Sequence, residues 1–394
     1  MIGLGLVVRL VVVHLTSGDV FDLGSMVLVH DRLQVDPLHV YSGVIEAVGG
    51  VGPPRWPYPP GFFPLIAAAG SAASRLGIGF EELLRIPGVL ADAGIAWLVQ
   101  GYLAGQGYGP RARVAAAALV ALAPAFGIIS ADHGQIDAVA ILPAVGALLV
   151  WERAAPDRRA LAAGLLIGLG AALKTTPVFV VLALLPWARS RREAGTLVAA
   201  SLLVPLAALA PFLLADGHGV LRALGYHGAP GFGGISLFVQ PDLASGWLGT
   251  EVVRLTDASR TVSDAAPGIL ALTLAALGVL LWRVRPPVAV GASLVYLAVY
   301  VSGVDFFLNY LVWGLPFFLM AGWLWPVALL EVAWLIPLGV RYLRPAFGDG
   351  AWPGWVVSWV FVPTMMALWL AALVVLVRLV RQVGATAARG RGGR

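Results

Sequence analysis

About thirteen apolar segments, most close to the roughly 20 residues that a helix needs to cross a bilayer, follow one another along this chain with polar breaks between them. They fall near residues 2–15, 61–77, 88–105, 113–130, 135–151, two within 160–188, 195–214, 266–282, 287–303, 310–325, 326–342 and 355–379. A soluble domain is excluded, because 59% of the 394 residues are hydrophobic and only 12% are charged, far from globular usage. None of the segments keeps the strict two-residue alternation of a barrel strand. The expected fold is therefore all-α and polytopic, with roughly 12 true spans.

Charge placement sets the orientation. A formal charge of +5 would suggest nucleic acid in a soluble protein, but here the arginines sit in short loops at 152–159, 189–192 and 283–285 and in the tail from Arg389 to Arg394. That distribution is the positive-inside pattern and predicts two cytoplasmic termini in a plasma (inner) membrane, with no nucleic acid partner. Cysteine is absent, which removes disulfides and thiolate metal sites.

Two polar loops break the pattern, at 17–60 and 215–264. Long connections in a compact chain are usually functional or disordered, and the first keeps too many apolar residues for disorder. Within it, residues 19–33 set Asp19, Asp22 and Asp31 against Phe21, Leu23, Val27 and Leu28, which suits a helix lying along the interface. Glycines at 49, 50 and 52 and prolines at 53, 54, 57, 59 and 60 then break regular structure. If Asp19 and the stretch 132–137 share the outer face, an even number of crossings separates them. Three apolar segments intervene, so one, 61–77 or 88–105, is expected not to span.

Ionisable residues at membrane depth are costly and count as functional candidates. Each also has a bland alternative. Asp19 suits a helix N-cap, Asp22 lies one turn on and suits a solvated face, Lys174, the sole lysine, suits a snorkelling side chain, and His133 and Asp137 suit a helix end.

These residues carry a resemblance. Gly18-Asp19 after the first span, Trp56-Pro57-Tyr58-Pro59-Pro60 before the second, Asp132-His133-Gly134-Gln135-Ile136-Asp137, and Leu173-Lys174-Thr175-Thr176-Pro177 with Leu185-Pro186-Trp187 resemble the GT-C glycosyltransferases. The nearest patterns are those of dolichyl-phosphate-glucose glucosyltransferases and bacterial polyprenyl-phosphomannose mannosyltransferases. The likeness covers residues 1–190 well, read as a GT-C-like catalytic module, and 191–394 in outline, read as a variable transmembrane module of the same membrane domain.

The resemblance implies interfacial helices in the first outer loop and a catalytic acid there, matched by Asp19 with Asp22 beside it. It also implies a polyprenyl-phosphate-linked sugar donor and a glycan or glycolipid acceptor. Asp19-Val20-Phe21-Asp22 replaces the Asp-X-Asp of some relatives, so the sequence assigns neither a metal site nor a cofactor. Chemistry fills in the rest: transfer from a phosphate leaving group needs a base for the acceptor hydroxyl and cations for the phosphate. Arg55, Lys174, His133 and Arg222 are the cation candidates. Gln135, Asp137, Tyr58, Tyr226, His227 and Asn309 are the candidates for sugar or acceptor binding. Displacement in one inverting step on the extracytoplasmic side is the expectation. A transporter or flippase of lipid-linked saccharides is the alternative from another class, although transporters usually show internal repeats and this chain shows none.

Overall fold

The computed structural model describes residues 1–49, 55–226, 228, 230–249, 253–343 and 352–392, and these form helices with no strand among them. Gly50, Gly52, the prolines at 53 and 54, and His227, all singled out from the sequence, lie outside the described residues. The chain divides into two compact units, residues 1–226 and 227–394.

In the first unit, α1 (Ile2–Leu15) bends by 81° into α2 (Val20–Val35). The corner is written in the sequence. Gly18 takes φ +77°, a left-handed conformation open to glycine, and Asp19 then caps α2. After α3 (Val40–Ala47), α4 (Phe63–Leu76) opens with Pro64 in its first turn and stops at Gly77 in the left-handed region, the usual pairing of proline at the start and glycine past the end. Its 14 residues make about 21 Å of helix, short of the roughly 30 Å hydrocarbon core. The segment at 61–77 is thus shorter than a full span, and the helix over 88–105 is not among the candidate spans either.

Next come α5 (Phe80–Gly105), α6 (Pro110–Ala121), a π-helical turn at Ile128–His133, α7 (Asp137–Arg153), α8 (Pro156–Leu173) and α9 (Arg191–Leu224). Gly164 and Gly168 let α8 pack closely on α9. A Cβ at Gly164 would lie 2.6 Å from Ala200 Cβ, and one at Gly168 would lie 2.9 Å from Ser201 O. Small residues four apart are how membrane helices approach closely without a hydrophobic driving force. Late in α9, Asp216 leaves helical geometry and its carboxylate accepts from Gly219 N and Ser42 N, at 3.1 and 2.8 Å. It restarts the helix as an N-cap and ties it to α3.

The second unit holds α10 (Asp257–Val284), α11 (Val288–Ser302), α12 (Leu311–Met320), α13 (Leu324–Tyr342) and α14 (Val362–Gly392). Gln240 closes the loop before α10, accepting from Thr256 N and Ser259 Oγ and donating to Arg254 O.

Among the described residues, five helical stretches are long and apolar enough to cross a membrane, or six if the bent α1–α2 pair is one span. This falls short of the twelve or so expected from the sequence. The other apolar segments are helical but short or interrupted by charge: α7 has 17 residues, α11 has 15 and α12 has 10, while α5 carries Arg85 and Asp92 in its body.

Candidate functional site

The first unit brings the polar residues of three distant segments together at the α1–α2 corner. Asp19 Oδ1 accepts from the backbone N–H groups of Phe21 and Asp22, at 2.9 and 3.1 Å. Its own N–H donates to His133 O at 3.2 Å. So Asp19 is an N-cap, the bland alternative for it, and both cap bonds fall on one oxygen of a carboxylate that offers about four lone-pair sites. They fix the plane of the group.

One turn along α2, Asp22 Oδ2 is in hydrogen-bond contact with His133 Nε2. Asp22 also accepts from Gln135 and feels the charge of Lys174. Two left-handed glycines make the juxtaposition of α2 and the 128–135 turn possible. Gly134 has φ +87°, and a Cβ there would lie 2.7 Å from Leu23 Cδ2, while one at Gly18 would lie 2.2 Å from Leu23 Cδ1. Leu23, 1% exposed, is wedged between the backbones of the two segments that carry Asp19 and His133.

Lys174 Nζ donates to Asp137 Oδ1 at 2.7 Å, both side chains buried. The Lys174 ammonium also stands 4.7 Å from the centre of the Tyr58 ring, a cation–π contact. Burial, followed by the negative charges of Asp22 and Asp137, pushes the Tyr58 phenol well above its usual range, so it stays a neutral hydroxyl. The loop bearing it is anchored by Tyr41, whose hydroxyl donates to Tyr58 O at 2.9 Å, and by Trp56 packed on Tyr58, Phe62 and Phe63. Arg55 lays its guanidinium 4.0 Å over the Phe21 ring, and its buried Nε has no hydrogen-bond partner among the described residues. Gln135 Oε1 is likewise buried without one. Asp19, Asp22 and His133 each present one ligand atom, all within 4.8 Å of one another, a mixed oxygen and nitrogen set of the kind a zinc-like ion accepts.

The family model of glycosyltransferase family 87 matches residues 56–308, well over half of the chain. The chain belongs to this family. No curated protein and no solved structure matches it. This family-87 chain is accordingly a membrane glycosyltransferase. The matched region starts at Trp56, so the corner bearing Asp19 and Asp22 precedes it.

Of the residues singled out from the sequence of this glycosyltransferase, Asp19, Asp22, Tyr58, His133, Gln135, Asp137 and Lys174 are joined through the contacts above, and Tyr226 acts electrostatically on Tyr58. Arg55, in the loop before α4, packs its guanidinium over Phe21 of α2. Arg222 is exposed in the last turn of α9, and Asn309 is buried in the second unit.

Sequence reasoning passed over two buried arginines behind the site. Arg9 on α1 donates to Asp92 on α5 at 2.7 Å, and Asp92 accepts from Ser130 in the π-helical turn at 3.0 Å. Arg85 on α5 is 1% exposed and, among the described residues, donates only to backbone carbonyls and one hydroxyl. The usable signal was a charge inside an otherwise apolar run.

Proposed function

We propose that this glycosyltransferase transfers a hexose, mannose or glucose, from a polyprenyl-phosphate carrier to a glycan or glycolipid of the cell envelope. Asp19 is the general base, working on the extracytoplasmic face of the plasma membrane. The observation that carries the reading is the Asp19 carboxylate fixed as the cap of a helix corner, with Asp22 and His133 beside it and with Gln135, Lys174 and Tyr58 linked to it through Asp22.

The reaction uses these groups in a definite order. Asp19 takes the proton of the acceptor hydroxyl as its oxygen attacks the anomeric carbon. The bond from that carbon to the phosphate oxygen breaks, and the electron pair leaves with the prenyl phosphate. Phosphate is a good leaving group, so no acid is needed on that side, but its growing charge calls for cations. Arg55 supplies the first, its buried Nε being unpartnered, with His133 and Arg222 as further cations. Lys174, already paired with Asp137, serves by holding Tyr58. Gln135, Asp137 and Tyr58 bind sugar hydroxyls. Attack from the face opposite the phosphate inverts the anomeric centre, as a single displacement requires.

One contact favours a second assignment of the base. Asp22 touches His133, and in such a pair the imidazole can take the acceptor's proton while the carboxylate orients it and stabilises the imidazolium. In that case Asp22→Asn, and not Asp19→Asn, abolishes transfer.

Purified protein incubated with short-chain prenyl-phosphate mannose or glucose tests the reading. Consumption of one donor, with release of prenyl phosphate, supports it. Movement of an intact lipid-linked saccharide across a vesicle without cleavage supports the transporter alternative instead.

A further inference from the structure

Arg85 is an unusual buried cation. Among the described residues no carboxylate lies within hydrogen-bond reach of it; Asp132, Glu82 and Glu81 act on it only through their charge. Instead Nη2 donates to Val13 O at 2.7 Å and Thr16 O at 2.8 Å, and Nη1 donates to Thr16 Oγ1 at 2.9 Å and Ala131 O at 3.0 Å. Nε turns back to Glu81 O of its own helix at 3.3 Å.

The acceptors belong to two chain ends. Val13 and Thr16 sit at the C-terminus of α1, where the last carbonyls have no partner within the helix. Ala131 lies in the π-helical turn, two residues before His133. Both are places where carbonyls accumulate negative potential and a cation is favoured. A planar guanidinium with five donors in a fixed fork can engage both at once. An ammonium cannot.

What the two ends carry gives Arg85 its meaning. Three residues past Thr16 stands Asp19, and two past Ala131 stands His133. The bond from Asp19 N to His133 O and the contact of Asp22 with His133 join the same segments on the other side. Leu23 fills the space between them, with Gly134 against both Leu23 and Arg85 Cγ. One side chain from α5 therefore fixes the separation of the chain segments that bear the base and the imidazole.

We infer that Arg85 is a positioning residue for transfer: it clamps the C-terminus of α1 to the 128–133 turn and thereby holds Asp19 and Asp22 in register with His133. The role in transfer rests on the function proposed above. The clamp itself does not.

The experiment separates the two. The chain contains no cysteine, so Ser17→Cys with Asp132→Cys gives two clean sites for spin labels on the clamped segments. The distance distribution is measured in the Arg85 parent and with Arg85→Met, Arg85→Lys and Thr16→Val. In parallel, kcat, donor KM and thermal midpoint are measured in the otherwise unaltered chain.

The expected result is a narrow distribution that broadens for Arg85→Met. It comes with a kcat loss of about 100-fold, the size that a misplacement near 1 Å produces, while donor KM stays within a few-fold. Arg85→Lys restores only part of kcat. Thr16→Val removes one acceptor and gives a smaller loss of the same kind, which keeps the test alive if Arg85→Met does not fold. A narrow distribution and unchanged kcat in folded Arg85→Met or Thr16→Val would overturn the inference, as would a loss confined to KM or to thermal stability. If the parent protein transfers no sugar but its distribution broadens on removal of Arg85, the clamp stands and the functional reading fails.

Discussion

Lys174 and Asp137 form a buried ion pair, 2.7 Å from Nζ to Oδ1, in which each residue also occupies the helix end that suits its sign. Asp137 opens α7 and Lys174 caps the C-terminus of α8, so both helix dipoles reinforce the pair. Removing one partner strands a buried charge, which costs about 3–5 kcal/mol, whereas replacing both with apolar residues costs far less. Lys174→Met and Asp137→Leu should each lower the unfolding midpoint sharply in detergent. The double variant should recover most of the loss, and a double variant as unstable as the sum of the singles would contradict the pairing.

Gly18 and Gly134 face the two methyl groups of Leu23 with left-handed backbones. Alanine at either position should cost about 1–2 kcal/mol from backbone conformation alone, plus the clash with Leu23. Adding Leu23→Ala should return the clash component and leave the backbone component. A thermal-unfolding double-mutant cycle reads the difference directly; strict additivity would show that Leu23 is not the wedge.

His39 and Asp36 pair at 3.0 Å in the exposed link between α2 and α3. The hydrogen bond to Asp36, and then its charge, raise the His39 pKa above the ordinary value, and Asp36 is lowered in turn. Since the folded pKa of His39 lies above its unfolded one, its small contribution to stability is fully present below about pH 6.5 and fades as pH rises through the folded value. An NMR titration should show His39 above the ordinary range, returning toward it in Asp36→Asn. An unshifted titration in the parent would refute the pairing.

Arg55, with its guanidinium over Phe21 and its buried Nε unpartnered, is the proposed phosphate contact. A charge-assisted hydrogen bond contributes about 1.5–3 kcal/mol, so Arg55→Met should raise donor KM by about 10-fold or more. Steady-state kinetics with a short-chain donor check this, and an unchanged KM would remove Arg55 from the donor site.

Much of this arrangement was legible before the fold. Apolar runs placed nearly every helix, because length and hydropathy decide what can sit in a bilayer. Asp19, His133, Asp137 and Lys174 stood out because charges are expensive there. Their pairing was not legible: Lys174 read as a snorkelling or phosphate-binding cation, and nothing in spacing alone reveals a partner 37 positions away. Arg85 stayed hidden for a related reason, since its acceptors are backbone carbonyls, which every sequence has. The count of about twelve spans was not legible in the same way, because hydropathy does not measure helix length: the apolar segment at 61–77 forms only the 14-residue α4.

The general-base role of Asp19 is tested most directly by Asp19→Asn in a single-turnover transfer assay with prenyl-phosphate mannose or glucose, alongside donor binding by the same protein. A positioned base contributes about 100-fold to 10,000-fold. The account predicts a loss in that range with donor affinity retained, and the hydrogen bonds to Phe21 and Asp22 preserved by the amide oxygen. Turnover within a few-fold of the parent enzyme would contradict it.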